Sequence, residues 1–428
     1  MKPARMYTAA PMAAPDPEAL RVLRERGFIQ QISDEEELKQ QLAVRRVTFY
    51  SGFDPTASSL HVGSLVPLMA MAHLARAGHR PIALLGGGTT MVGDPSGKTE
   101  LRQMLTKETI ADNRVGIAAQ VRRVLGDVPD AIVVDNGEWL LPLNYIDFLR
   151  EIGRHFSVNR MLAAEAYKQR LEKGLSFIEF NYQLLQAYDF LVLKRRHDCT
   201  LQIGGDDQWG NIVAGVDLIR RVDQGQAFAL TFPLITTASG AKMGKTAAGA
   251  VWLDPERTSP YDFYQYFVNV DDRDVVRFLK LFTVVPLAEI ERFEAVVGAE
   301  LRDAKRLLAQ GVTTIVHGAA AADEARAGAA AIFGTAVGRI GATGTLTGLP
   351  SSVPTFEVVG TERIADVMAA SGLAASKSAA RHLIKQGNVR LGDRKIELVD
   401  EELSLGDVGP GVLLHVGKKS VRRLVLAR

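Results

Sequence analysis

Four short runs rich in β-branched and aromatic residues, "VTFYSGF", "PIALLGG", "AIVVDN" and "CTLQIGG", recur between Val47 and Gly205 with helically spaced segments between them. No other feature constrains the chain as strongly. Short apolar runs joined by helical crossovers are the pattern of a parallel sheet, so the expected class is α/β with a doubly wound, Rossmann-like sheet. Residues from about 140 to 198 are charged and aromatic at helical spacing and read as a helical insertion between two strands. Beyond Pro260, "YDFYQYFVNVDDRDVVRFLKLF" and "AKRLLAQGVTTIVHGAAAADEARAGAAAIFG" are helical without strands. The stretch Gly338 to Pro354 is dense in Gly, Thr, Ser and Pro and reads as a linker. The expected division is therefore an N-terminal extension and helix (1–40), a sheet domain (41–250), a helical domain (251–337), a linker (338–356) and a small α+β module (357–428).

Composition narrows the classes. A chain of 428 residues accommodates two or three domains at roughly 100–200 residues each. Its one cysteine, Cys199, excludes a disulfide framework and a Cys-rich metal site, and the eight histidines show no ligand spacing, so no tightly bound protein metal is expected. No apolar run approaches the roughly 18 residues of a membrane span. The opening "MKPARMYTAAPMAAPDPEAL" lacks both an apolar signal core and serine, and reads as a frayed extension, which makes the cytoplasm the expected location. The net charge of +2 is uneven: residues 361–428 hold twelve Lys/Arg against eight Asp/Glu. A basic terminal module suits a polyanionic partner, although charge alone leaves a merely soluble surface equally open.

Candidate ligand-binding residues collect where a doubly wound sheet places them, at the carboxyl ends of strands. "YSGFDPTASSLHVGS" ends a strand in a turn, and Ser58 or Ser59 is the expected cap of the helix beyond it. There Thr56 and His61 could reach phosphate oxygens, and Gly63 would let a flat base approach the backbone. Two loops, Gly86 to Arg102 and Ser239 to Gly249, each carry Gly-Lys-Thr. Neither is a P-loop, because Gly93 to Gly97 and Gly240 to Gly244 enclose three residues where that motif needs four. The second reads as a mobile strip carrying Lys242 and Lys245 between hinge glycines. On the apolar helix Glu179 to Leu193, Tyr182, Gln186 and Asp189 share one face. An unpaired buried polar group costs roughly 1–3 kcal/mol, so such a stripe lines either a solvent edge or a pocket, and the apolar flanks favour the pocket. In the last module, Ser376 should cap a helix that Gly387 ends, with Lys377, Arg381 and Lys385 in one basic stripe. A phosphate backbone alongside would relieve the repulsion within that stripe.

With these motifs assembled, the chain from about Ala43 onward resembles the bacterial-type tyrosyl-tRNA synthetases. "YSGFDPTASSLHVGS" and "KMGKT" resemble the two class I signatures, while "GDPSGK", "NYQLLQAYDF" and "LQIGGDDQWGN" resemble the tyrosine pocket. The last module resembles the S4 RNA-binding fold. The resemblance implies ATP as substrate with Mg2+, L-tyrosine and tRNA(Tyr) as partners, and a homodimer formed through the insertion. It implies that Thr56 and His61 grip the pyrophosphate, that Lys242, Lys245 and Thr246 close over it, and that Lys98 and Arg102 lie nearby. Tyr50 and Asp189 would read the phenol; Asp94, Tyr182 and Gln186 would hold the ammonium, with Gln208 near the carboxylate. Ser51, Gly205 and Asp207 would contact ribose, with Asp54, Gly63 and Ser64 also on the nucleotide. Lys418 and Lys419 would join the basic stripe on RNA.

Four residues depart from the pattern, of which Ser51 is benign as a ribose contact. Ser64 stands where the first signature often has histidine, and its hydroxyl reaches less far. Pro67 denies the Gly63 carbonyl its helical partner, and either a kink that re-aims the signature or a tolerated substitution fits the sequence. Asp206 adds a carboxylate beside Asp207 that the resemblance does not explain. Two alternatives remain: a tryptophanyl-type synthetase, against which the Tyr50/Asp189 pair argues, and an RNA-binding protein with an inert catalytic half, against which His61, Lys242 and Lys245 argue.

Overall fold

The computed structural model describes residues 16–96, 105–126, 128, 130–163, 165–172, 174–240, 243–246, 249–298, 300–333, 353–409, 411–417 and 420–427. Six strands form the main sheet: β1 (Gln31–Ile32), β2 (Thr48–Phe53), β3 (Arg80–Leu85), β4 (Ile132–Asp135), β5 (Cys199–Gly205) and β6 (Phe228–Phe232). Their order is β1-β6-β5-β2-β3-β4, with β1 antiparallel at one edge and the rest parallel. The four sequence runs are β2 to β5. The other two strands escape periodicity: β6, "FALTF", is a short run buried throughout, and β1 has only two residues.

The topology creates the site. From β2 the chain steps outward through β3 and β4, then returns to place β5 and β6 on the other side. The order reverses between β2 and β5, and a crevice opens at their carboxyl ends. The crossover helix Leu65–Arg76 is buried almost all round, as its sequence "LVPLMAMAHLAR" requires. It joins Phe49, Leu201 and Phe228 in one core, while Leu84, Phe190 and Ile219 form a second core. Each fully buried Leu or Phe contributes about 1.5–3 kcal/mol, so the sheet is held by both layers. Between β4 and β5 lie helices, among them Tyr145–Glu151 and Phe177–Phe180, and last Tyr182–His197. Ser176 and Glu179 form a reciprocal capping box ahead of the last of these.

After β6 comes a small hairpin, β7 (Lys245–Thr246) with β8 (Gly249–Ala250), and then the helices Pro260–Val268, Val275–Phe282, Leu301–His317 and Ala319–Phe333. The buried Arg26 guanidinium ties the N-terminal helix Glu18–Arg26 to this region, donating to the carbonyls of Lys280, Thr283 and Val285 at 3.0, 3.0 and 2.7 Å. Those carbonyls close the end of the helix Val275–Phe282, where intrahelical donors run out.

The last module comprises β9 (Thr355–Val358), β10 (Glu362–Arg363), β11 (Val389–Leu391), β12 (Arg394–Lys395), β13 (Glu402–Leu403), β14 (Val412–Val416) and β15 (Ser420–Leu426), with helices Ile364–Ala370 and Lys377–Lys385. Five strands form one sheet, β12-β11-β14-β15-β9, over a core including Met368, Ile384 and Leu414. The Ala379 amide donates to Ser376 Oγ at 3.1 Å, and Gly387 at φ +68° ends the helix, both as the sequence indicates. The module rests on the helical region through Tyr261, Val353, Leu413 and Val421, and Arg422 donates to Asp262 at 2.9 Å. Residues 1–15, and all but 353–356 of the expected linker 338–356, lie outside the described residues. No helix among the described residues is long and apolar enough to cross a membrane.

Candidate active site

A cleft of about 590 Å³ occupies the crevice between β2 and β5. Tyr50 on β2 and Asp189 on the helix Tyr182–His197 form its deep end, each about 1% exposed. The Asp189 carboxylate accepts from Asn136 Nδ2 at 2.9 Å and from Trp139 Nε1 at 2.7 Å. Burial pushes that carboxyl up to about 8 against the pull of both bonds, and the Asp54 charge adds to the rise. The Tyr50 hydroxyl has no partner among the described residues. Burial, and then the neighbouring Asp189 charge, hold its phenol well above the usual range. A buried hydroxyl beside a desolvated carboxylate is costly, and a ligand group able both to donate and to accept would satisfy both.

Toward the mouth the polar groups bond to one another. Tyr182 donates to Asp54 Oδ2 at 3.2 Å and Thr89 donates to Asp54 Oδ1 at 3.0 Å. Asp94 accepts from Gln208 Nε2 at 2.7 Å and from the Ser96 amide at 2.9 Å. Gln186 and Gln202 each bury an Oε1 with no partner among the described residues, and both line the cleft. Two orphaned acceptors and two carboxylates make this the place for a cationic group. Gly86 leaves room for the arrangement, since a Cβ there would lie 2.1 Å from Asp54 Oδ1.

At the other end stands the signature turn. His61, not Ser58 or Ser59, caps the segment after it: its Nδ1 accepts from the Gly63 amide at 3.0 Å. Ser59 is buried instead, with its Oγ donating to the Leu60 carbonyl at 2.7 Å. An accepting Nδ1 puts the ring proton on Nε2, so the imidazole presents a donor. A Cβ on Gly63 would meet His61 Cε1 at 2.7 Å, so this glycine makes room for the ring itself. No kink is needed at Pro67. Residues Val62–Ser64 form a 3-10 turn and the α-helix starts at Leu65, which puts Pro67 in the first turn, where amides lack partners anyway. Asp206 is explained by packing: it accepts from Gln31 Nε2 at 2.7 Å and from Thr231 Oγ1 at 2.9 Å, joining β1 and β6 to the turn after β5.

The lysine-bearing strip folds against this turn. Met243 is buried, the Gly244 carbonyl accepts from the Val251 amide at 2.8 Å, and the Tyr266 hydroxyl accepts from the Gly244 amide at 3.3 Å. A Cβ on Gly244 would lie 3.4 Å from the Gly63 nitrogen, so strip and signature touch. Gly240, Gly244 and Gly249 have φ of +82°, +78° and +117°, which explains the glycines along it.

Among the sequence candidates, the cleft brings together Tyr50, Ser51, Asp54, His61, Gly63 and Ser64 from the first strand and turn. It adds Asp94, Tyr182, Gln186 and Asp189, and then Gly205, Asp207 and Gln208. Thr56 is exposed on the turn after β2, outside the cleft wall. Lys98, Arg102, Lys242, Lys418 and Lys419 lie outside the described residues, as do the side chains of Lys245 and Thr246. Lys377, Arg381 and Lys385 are exposed on the last module, and Lys377 pairs with Asp366 at 3.2 Å. Asn136, Trp139, Thr89 and Gln202 were not legible as site residues. Gln202 had a signal, since a glutamine inside an apolar strand must face a partner or a cavity.

A switch-point cleft beside an HVGS turn that a glycine-rich strip touches, with an α+β module beyond the helical region, is the architecture of an aminoacyl-tRNA synthetase of class I. The chain matches the family described as tRNA synthetases class I (W and Y) over residues 42–334 and the S4 domain over residues 362–408, and it belongs to that synthetase family. It is 53% identical to a tyrosine–tRNA ligase of Desulfosudis oleivorans, covering 95% of this chain and 98% of that one. Its identity to the tyrosine–tRNA ligase of Clostridium beijerinckii is 51%, over 94% and 98%. Among solved structures, a C-terminally truncated mitochondrial tyrosyl-tRNA synthetase of Aspergillus nidulans superposes with a TM-score of 0.65 at 30% identity, covering 72% of this chain and 92% of that one.

Proposed function

We propose that the chain is a tyrosine–tRNA ligase that activates L-tyrosine with Mg-ATP and transfers it to the 3′ end of tRNA(Tyr). The observation that carries this reading is that the Tyr50 hydroxyl and the Asp189 carboxylate line one cleft within electrostatic reach of each other, both almost fully buried. A phenol donates to Asp189 and accepts from Tyr50. An indole would donate only, and a phenyl ring would leave the Tyr50 hydroxyl unpaired at a cost of roughly 1–3 kcal/mol and would offer Asp189 no donor beyond Asn136 and Trp139. The amino acid's ammonium then falls among Asp94, Tyr182, Gln186 and Gln202, and its carboxylate near Gln208.

That carboxylate attacks the α-phosphate in line and pyrophosphate leaves. No side chain becomes bonded to the substrate, so the chain's contribution is positioning and stabilisation of charge building on phosphate. His61, held as an Nε2 donor, and Thr56 serve the pyrophosphate from the signature side. Lys242, Lys245 and Thr246 serve it from the strip, and Lys98 and Arg102 from the loop after β3. Ser51, Asp54, Gly63, Gly205 and Asp207 accommodate the nucleoside. The stripe Lys377, Arg381 and Lys385, with Lys418 and Lys419, meets the tRNA backbone. A homodimer through the insertion suits the exposed Ile146, Val158, Phe177 and Ile178, and sedimentation near twice the 46.5 kDa chain mass is expected.

ATP–pyrophosphate exchange measured with each of the twenty amino acids tests the reading. Tyrosine alone should drive it; exchange driven by tryptophan, or none at all, would overturn it. Two more outcomes are expected. Because Asp189 titrates near 8 before tyrosine binds and the phenol requires its ionised form, kcat/KM for tyrosine should rise several-fold between about pH 6.5 and 8.5. A flat profile would mean that the carboxylate is already ionised at the lower pH. Ser64→Ala removes one neutral hydroxyl, so the KM for ATP should rise roughly 2- to 10-fold with kcat and the tyrosine KM unchanged. Unchanged kinetics would leave Ser64 without a role.

A further inference from the structure

We propose that Trp252 is a positioning residue for His61, setting the imidazole against the nucleotide from outside the cleft. The inference rests on the ligase reading above. His61 lies on a turn between a strand and a 3-10 segment, where its own element supplies the ring with the bond from the Gly63 amide to Nδ1. The segment Val251 to Thr258 adds support from a second direction.

His61 and Trp252 form an isolated antiparallel bridge. The Val62 amide donates to the Val251 carbonyl at 2.9 Å and the Leu253 amide to the Leu60 carbonyl at 2.9 Å. The two rings meet edge to face, with centroids 6.4 Å apart and planes at 67°. Trp252 does not line the cleft, so it touches the ring without touching the ligand space.

Trp252 is itself braced. The Arg257 guanidinium sits 3.5 Å over the indole, and the same side chain donates to Ser58 Oγ at 3.3 Å. The Trp252 amide donates to Thr258 Oγ1 at 3.0 Å, and the Asp254 amide to Ser59 Oγ at 3.1 Å. Residues 58–63 and 251–258 are thus stitched together at both ends. Trp252 also lies only two residues beyond β8, so the lysine strip leaves the site through the residue that backs His61. An imidazole displaced by an ångström loses most of a bond formed in the transition state, which is how a residue off the cleft can act on rate.

The test is a double-mutant cycle in tyrosine-dependent ATP–pyrophosphate exchange, on the full chain. Trp252→Ala should lower kcat about tenfold with the tyrosine KM unchanged, and Trp252→Phe, which keeps an aromatic edge, should stay within about threefold of wild type. Trp252→Leu keeps apolar bulk without the flat edge. It should match the alanine variant at an unchanged unfolding temperature, which covers the case in which alanine fails to fold. In a His61→Ala background, Trp252→Leu should change kcat less than twofold, because the two residues act as one unit. Equal losses in both backgrounds, or a loss expressed in the tyrosine KM alone, would overturn the inference while the ligase reading stands. No exchange in the wild type would overturn the ligase reading and this inference with it.

Discussion

Asp189→Asn is expected to lower kcat/KM for tyrosine by one to two orders of magnitude, the worth of a hydrogen bond to a charged acceptor. It also leaves one donor unpaired with or without tyrosine, a cost to stability that comes from geometry. Asn136 Oδ1 already accepts from the Gly88 amide at 2.7 Å, so its Nδ2 must point at Asp189, and Trp139 can only donate. Asparagine offers one oxygen where two donors converge. Exchange kinetics with tyrosine and phenylalanine should show the selectivity shrinking mainly through the tyrosine value. An unchanged ratio would remove Asp189 from phenol recognition.

The same substitution should alter stability with a definite sign. Burial raises the folded carboxyl to about 8 from an ordinary value of 3.8, so the folded chain holds a proton that the unfolded chain releases across that window. This contribution is fully present below about pH 4 and is lost as pH rises through about 8, an effect of the order of a few kcal/mol. Thermal unfolding between about pH 5 and 8.5 should therefore show the wild type losing ground to Asp189→Asn as pH rises.

His61→Ala is expected to cost more, about 10²–10³ in kcat for exchange, the range for one preorganised donor on developing charge. It also removes the cap from the Gly63 amide, worth about 1 kcal/mol, so a small fall in unfolding temperature should accompany the kinetic loss. The two effects separate in His61→Asn, because asparagine caps well but presents its donor from a shorter side chain. Stability should recover and the rate should not. Recovery of both would mean that His61 acts only as a cap.

The sheet was largely legible because β2, β3 and β5 are mostly buried runs and β4 a half-buried one, each bounded by turns and helices, a pattern that needs no tertiary information. Tyr182, Gln186 and Asp189 were legible for a similar reason, since helical spacing alone puts them on one face. Pairing over distance could not be read. Asn136 and Trp139 reach Asp189 from 53 and 50 positions away, across a sheet order that only folding determines. Asp206 looked surplus beside Asp207 because its partners Gln31 and Thr231 lie on the two strands that periodicity missed. The cap went to His61 in place of the serines because the turn closes as a 3-10 segment before the α-helix begins at Leu65. Trp252 gave no signal, since its value lies in which turn it backs.

The most direct measurement is a crystal structure of the chain with L-tyrosine bound. The phenolic oxygen should lie within about 3 Å of both the Tyr50 hydroxyl and an Asp189 oxygen, with the ammonium among Asp94, Tyr182 and Gln186. A tyrosine seated with its ring toward His61, or bound outside this cleft, would contradict the account.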